Sequence, residues 1–168
     1  PIAVNLGEEL ENATIIKYNS SAIAQGVLTD DGQLWVWGDN QYGRLGVGHA
    51  DRIAANYYPN RIGETSDVWT DFSHSGENLY AVKDNKLYAA GQGDHNNIGL
   101  GLLNTTNQFS MTEVPGVDIT EIETWQSSWA GFISIKKNGE LWGFGGNWNG
   151  QLARNPNTQI QNTMHTVD

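Results

Sequence analysis

Cysteine is absent from all 168 residues, which excludes disulfides, thiol nucleophiles and Cys-based zinc sites. A cysteine-free chain suits oxidising and reducing surroundings equally. Positive charge is scarce: 9 Lys and Arg stand against 19 Asp and Glu, giving a net charge of −10 and a pI near 4.6. That deficit argues against nucleic acid as a partner, because a phosphate backbone is held by a basic patch. Long hydrophobic runs are missing too. Polar or charged residues interrupt every apolar stretch short of the ~20 residues a membrane helix needs, so no membrane insertion is expected. No segment sustains a helical period. What is there is 20 Gly, 7 Trp and only 17% charged residues, the make-up of a β-rich, turn-rich protein.

Three segments superpose when written in register: Val27–Asn40, Ala81–Gly91 and Ile133–Asn147. Leu34, Leu87 and Leu141 are 53 and 54 residues apart, and Gly38, Gly91 and Gly145 keep the same spacing. The match runs on through Gly43-Arg44-Leu45-Gly46, Asn96-Asn97-Ile98-Gly99 and Gly150-Gln151-Leu152-Ala153. Apolar residues alternate on either side of Asp31-Gly32, Asp84-Asn85 and Asn138-Gly139, the pattern of β-hairpins whose tight turns need positive φ angles. The Gly that follows each hairpin is expected where a side chain would crowd a neighbouring sheet. Further short strands are expected upstream, at Ile15–Tyr18, Val68–Phe72 and Ile122–Trp125, and downstream, near Pro59–Ile62 and Val114–Val117. That makes about four strands per unit in an all-β chain. It reads as one repeat domain, 1–168, with approximate units 1–58, 59–113 and 114–168. A single such sheet cannot bury both its faces, so the units must stack.

The stretch Leu28 to Gly48 resembles the regulator-of-chromosome-condensation repeat almost throughout. The third unit keeps Leu141, Trp142, Gly145, Asn147, Gly150, Gln151 and Leu152 but has Ala153 where the family prefers Gly. The second unit is more degenerate, with Ala90, Gly93 and Asn96 at pattern positions. The resemblance implies a β-propeller of four-stranded blades, six or seven to a ring, of which about three are present. The ring is then either part of a longer chain or assembled from two copies, and open blade edges are expected to pair with further blades or another copy.

Chemical motifs are thin. Gly38 to Gly43 has the skeleton of a phosphate loop but lacks its Lys and Ser/Thr, and Gly91-Gln92-Gly93 lacks the third glycine of a dinucleotide loop. His49, His74, His95 and His165 show no metal-ligand spacing, so neither metal nor cofactor is expected. Glu8 with Glu9, or Glu121 with Glu123, could pair as carboxylates. The second pair would share one solvated face of a strand. The binding candidates are rim-loop residues. Tyr42, His95 and Trp148 are expected at equivalent loop positions on one rim, joined by Arg44 and by Tyr57 and Tyr58 in the long linker of the first unit.

The expected function is a non-enzymatic protein-interaction module. Its acidic, lysine-poor make-up suits a microbial extracellular, cell-surface or virion setting better than the cytoplasm. A structural subunit of a larger assembly, such as a phage or virus particle, is the alternative. The family resemblance adds a third reading, a guanine-nucleotide-exchange factor for a small GTPase.

Overall fold

The computed structural model describes residues 6–51, 57–94, 98–100, 106–120, 122, 132–137, 140–147, 149–150, 152–153 and 160–166, with only the backbone path for 132–137 and 160–166. These residues form three antiparallel sheets in succession. The first, ordered β1-β2-β3-β4, comprises β1 (Ile15–Ser20), β2 (Ala24–Thr29), β3 (Leu34–Gly38) and β4 (Asn60–Arg61). The second, β5-β6-β7-β8, comprises β5 (Trp69–Ser75), β6 (Asn78–Lys83), β7 (Lys86–Gly91) and β8 (Gln108–Asp118). The third shows β9 (Phe132–Lys137), β10 (Glu140–Gly146) and β11 (Ile160–Thr166), ordered β11-β10-β9. The strand expected at Ile122–Trp125 falls mostly outside the described residues. No α-helix occurs among the described residues; a 3-10 turn, Gln41–Gly43, follows β3.

All three expected hairpins are present; the Asn138-Gly139 turn of the third lies outside the described residues, and the turns of the first two differ. Asp84 and Asn85 both take positive φ, 54° and 59°, as a two-residue turn matched to strand twist requires. At the first hairpin only Gly32 does so, at 83°, because the loop there holds one residue more between Thr29 and Gln33. The expectation for the strand-ending glycines needs a correction. A Cβ on Gly38 would strike the carbonyl of Ile23, and one on Gly91 that of Glu77. Both belong to the preceding β-turn of the same sheet, so the crowding lies within the sheet rather than between sheets.

The inner strand β6 of the second sheet is apolar on both faces because both are packed. Ala24, Leu28, Leu34 and Val36 of the first sheet meet Trp69, Phe72, Leu79 and Ala81 of the second. Gly26 makes the room: a Cβ there would lie 2.8 Å from the Phe72 ring. Tyr80, Val82, Leu87 and Ala89 on the second sheet's other face meet Phe144, with Trp142 packed beside them. Trp35 is buried against Leu10 and Val27, with Leu6, Ala13 and Trp37 alongside.

One position carries a measurable misfit. Ala153 sits at φ 51°, where its counterparts Gly46 and Gly99 have 69° and 72°. An L side chain in the left-handed region costs about 1 kcal/mol. Ala153→Gly is therefore expected to raise stability by roughly 0.5–1 kcal/mol, partly offset by greater unfolded-state freedom. A higher urea midpoint at unchanged slope would report it.

Candidate functional site

The loop after β3 is built by a buried asparagine. Asn40 Oδ1 accepts the N–H of Leu45 at 3.1 Å, its Nδ2 donates to the His49 carbonyl at 2.8 Å, and its own carbonyl accepts from Gly43. In the third unit Asn147 Oδ1 accepts from Leu152 at 2.9 Å and its carbonyl accepts from Gly150. The repeated Asn-x-x-Gly-x-Leu pattern is thus a loop scaffold: the amide replaces the backbone partners that a tight turn leaves unmatched. These bonds also fix the register between units. Asn40 corresponds to Asn147, so Trp148 corresponds to Gln41, and Tyr42 to Asn149. The expected equivalence of Tyr42 and Trp148 is off by one residue, and the side chains of His95 and Trp148 lie outside the described residues.

The loop leans on the second sheet. Gly48 N–H donates to the Phe109 carbonyl at 2.7 Å, and Val47 bridges to Ser110. Phe109, on β8, lies against Gly43, and its ring is substantially exposed. Tyr42 is half-buried at φ 64°, with the Arg44 guanidinium 5.9 Å from its ring centroid. Arg44 turns inward: it is fully buried, its Nε donates to the Gln41 carbonyl at 3.0 Å, and its guanidinium pairs with Glu77 in the β5–β6 turn. It joins the first two sheets. Tyr57 and Tyr58, just before β4, are 76% and 66% exposed. The strand registers put all these aromatics at one end of the sheets, since Asn60 pairs with Val36 near Gly38, and Gln108 pairs with Gly91.

The opposite end differs. There the Trp69 and Tyr88 rings, in an edge-to-face pair 5.5 Å apart, are covered by Lys83, whose Nζ lies 5.2 and 5.1 Å from their centroids. Asp67 holds that ammonium at 2.8 Å, and this hydrogen bond pushes the Lys83 pKa up. Aromatic surface is sealed at this end and open at the other. Phe109 escaped the sequence reading because only Val114–Val117 of its strand was recognised. Glu8 and Glu9 are exposed, and Glu121 and Glu123 are outside the described residues. Among the described residues no cluster of His, Asp and Glu could hold a metal, and no helix is long and apolar enough to cross a membrane.

His74 lies in the joint between the first two sheets. Its N–H donates to Asn19 Oδ1 at 2.8 Å and its ring stands edge-on to Phe72. Burial holds its imidazole down at about 4 from the usual 6.5, helped by the Arg44 charge and opposed by a hydrogen bond with the Gln25 backbone. Between those values the unfolded chain binds a proton that the folded chain refuses. Stability therefore falls as pH drops from 6.5 towards 4, by up to roughly 3 kcal/mol. Denaturant midpoints at pH 7 and pH 4.5 should differ more in the wild type than in His74→Phe.

The regulator of chromosome condensation (RCC1) repeat profile matches residues 31–76. Residues 31–76 carry an RCC1-type repeat. Human HERC2, an E3 ubiquitin-protein ligase, is 33% identical over 76 residues, covering 44% of this chain and 2% of the ligase. The ultraviolet-B receptor UVR8 of Arabidopsis thaliana is 28% identical over 128 residues, covering 75% of this chain and 28% of the receptor. In structure, human WBSCR16 superposes with a TM-score of 0.73 at 16% identity, over 96% of this chain and 41% of that one. Prp20p of Saccharomyces cerevisiae, known for its binding properties to Gsp1p and histones, gives 0.70 at 16% identity, over 92% and 38%. These likenesses show the fold: the three sheets are blades of a β-propeller. The chain spans well under half of the relatives it matches.

Proposed function

We propose that this RCC1-type chain is a non-enzymatic protein-interaction module whose contact surface is the rim carrying Tyr42, Tyr57, Tyr58 and Phe109. The observation that carries the reading is the exposure of Tyr57, Tyr58 and Phe109 at one end of a rigid stack, beside a loop pinned by Asn40. Large rings held on a firm scaffold bury much area at small entropic cost when a partner lands. The binding of Prp20p to Gsp1p and histones supports this use of the fold. The exchange-factor reading has weaker support, because fold analogy alone warrants it and no rim residue maps to that task. The deficit of Lys and Arg favours a protein partner over nucleic acid.

A photo-crosslinking residue at Tyr57 or Tyr58, and for contrast at Asp84 on the far end, tests the rim. Adducts from positions 57 and 58 but not 84 are expected. Adducts from 84 alone would move the contact surface to the other end.

A further inference from the structure

His49, on the rim loop after β3, has its imidazole in a hydrogen-bonding role that a second proton would end. Its side chain is 40% exposed, so solvent reaches the ring. The backbone N–H of Asp51 donates to its Nδ1 at 3.3 Å. A donor aimed there makes Nδ1 the acceptor, so the neutral ring carries its proton on Nε2. The Asn40 Nδ2 also lies 3.4 Å from Nδ1 while it donates to the His49 carbonyl at 2.8 Å. That amide cannot be turned the other way, because Asn40 Oδ1 accepts the N–H of Leu45. The neutral ring therefore ties Asp51 to the buried asparagine that builds the loop.

Protonation changes which of these contacts survives. The proton goes on Nδ1 and turns an acceptor into a donor that faces two N–H groups. The Asp51 carboxylate is within reach, its Oδ2 3.6 Å from Nδ1. The other groups that face the ring or its backbone, Asn40 from the end of β3 and Phe109 and Ser110 from β8, are uncharged. Asp39 and Arg44 of the same loop are turned to the Gln41 N–H and to Glu77. The imidazolium thus leaves the two donors for the carboxylate, and Asn40 keeps only its bond to the His49 carbonyl. Histidine is the side chain whose charge changes between pH 5 and 8.

The repeat supplies a contrast. Counting from Gly46, Gly99 and Ala153, the other two units have Leu102 and Pro156 at the His49 position. Neither has a ring nitrogen, yet Asn147 still accepts the N–H of Leu152. Building the loop does not require a histidine, and His49 adds something to the first loop alone.

We infer that His49 is a proton-operated latch on the first rim loop, closed while its ring is neutral and released at Asp51 when the ring becomes an imidazolium. Asp51 stands six residues before Tyr57 in the chain, so the release falls between the Asn40 anchor and the exposed tyrosines. The latch operates whether or not the rim meets a partner.

Amide exchange on the isotope-labelled 168-residue chain from pH 8 to 5, with His49 ring protonation followed in the same samples, tests it. The protection factor of the Asp51 amide is expected to fall about fivefold in step with ring protonation. The Gly48 amide, held by the Phe109 carbonyl, should keep its own. Asp51→Asn removes the carboxylate that receives the imidazolium, so the same loss should come at lower pH. His49→Phe should show the low Asp51 protection at every pH. Constant Asp51 protection across the protonation of His49 would overturn the inference. So would an equal pH-dependent loss in His49→Phe, or a loss shared by Gly48, which would mean that the whole loop lifts off β8.

Discussion

Asp71→Ala is expected to lower the unfolding free energy by about 3–4 kcal/mol, equivalent to a melting point roughly 10 °C lower. The reason is where its carboxylate sits. Oδ1 pairs with Lys17 of the first sheet and accepts the N–H of Phe72 at 2.8 Å within the second. Oδ2 accepts the N–H of Ile122, on the approach to the third, at 2.6 Å. One buried side chain therefore touches all three units. Removing it strands two amide donors, and a buried donor without an acceptor costs about 1–3 kcal/mol. The ion pair contributes less, because the Lys17 side chain is a third exposed and solvent screens it. Lys17→Ala should accordingly lose under about 1 kcal/mol, and Asp71→Asn, which keeps one acceptor oxygen, about half the Asp71→Ala loss. Equilibrium denaturation of the three variants distinguishes these contributions. If Lys17→Ala matched Asp71→Ala, the amide bonds would not be the main part.

That contrast shows how far a sequence reads. The sheets were legible because the same local pattern recurs at 53 and 54 residues: alternation, an Asx turn, a strand-ending Gly. Repetition turns a weak local signal into a strong one. The joints were not legible. Asp71 finds Lys17 54 residues away and Ile122 51 residues on, Arg44 finds Glu77, and nothing near Asp71 or Arg44 marks either as paired. Arg44 resembled a rim cation for this reason; its loop conformation, set by Asn40, turns it inward. The rim was half legible. Tyr57 and Tyr58 stand out in a linker, whereas Phe109 lies in a strand whose start the pattern did not mark. Trp148 is one residue off the Tyr42 position, since counting from Gly38 and Gly145 and matching Asn40 to Asn147 both pair Tyr42 with Asn149.

Gly91→Ala should destabilise the fold by about 3–5 kcal/mol, for two separable reasons. Its φ of 118° lies in a region that costs a non-Gly residue about 1–3 kcal/mol. In addition, the new methyl would enter the space of the Glu77 carbonyl oxygen and lie 2.9 Å from the Asn78 Cα, both backbone atoms that cannot swing aside. That carbonyl accepts the N–H of Gln92, and the Glu77 side chain pairs with Arg44, so relieving the overlap pulls on the joint to the first sheet. Gly116 supplies the control. It has φ 73° with nothing within 4 Å of a built Cβ, so Gly116→Ala carries the conformational cost alone, about 1 kcal/mol. The difference between the two variants in urea unfolding measures the overlap. Equal losses would mean that the Glu77–Asn78 turn yields freely, and the strand end behind the rim would then not be rigid. A large difference would mean that the turn is fixed by its ties to Gln92 and Arg44, and that the sheet end carrying Phe109 is held before any partner arrives.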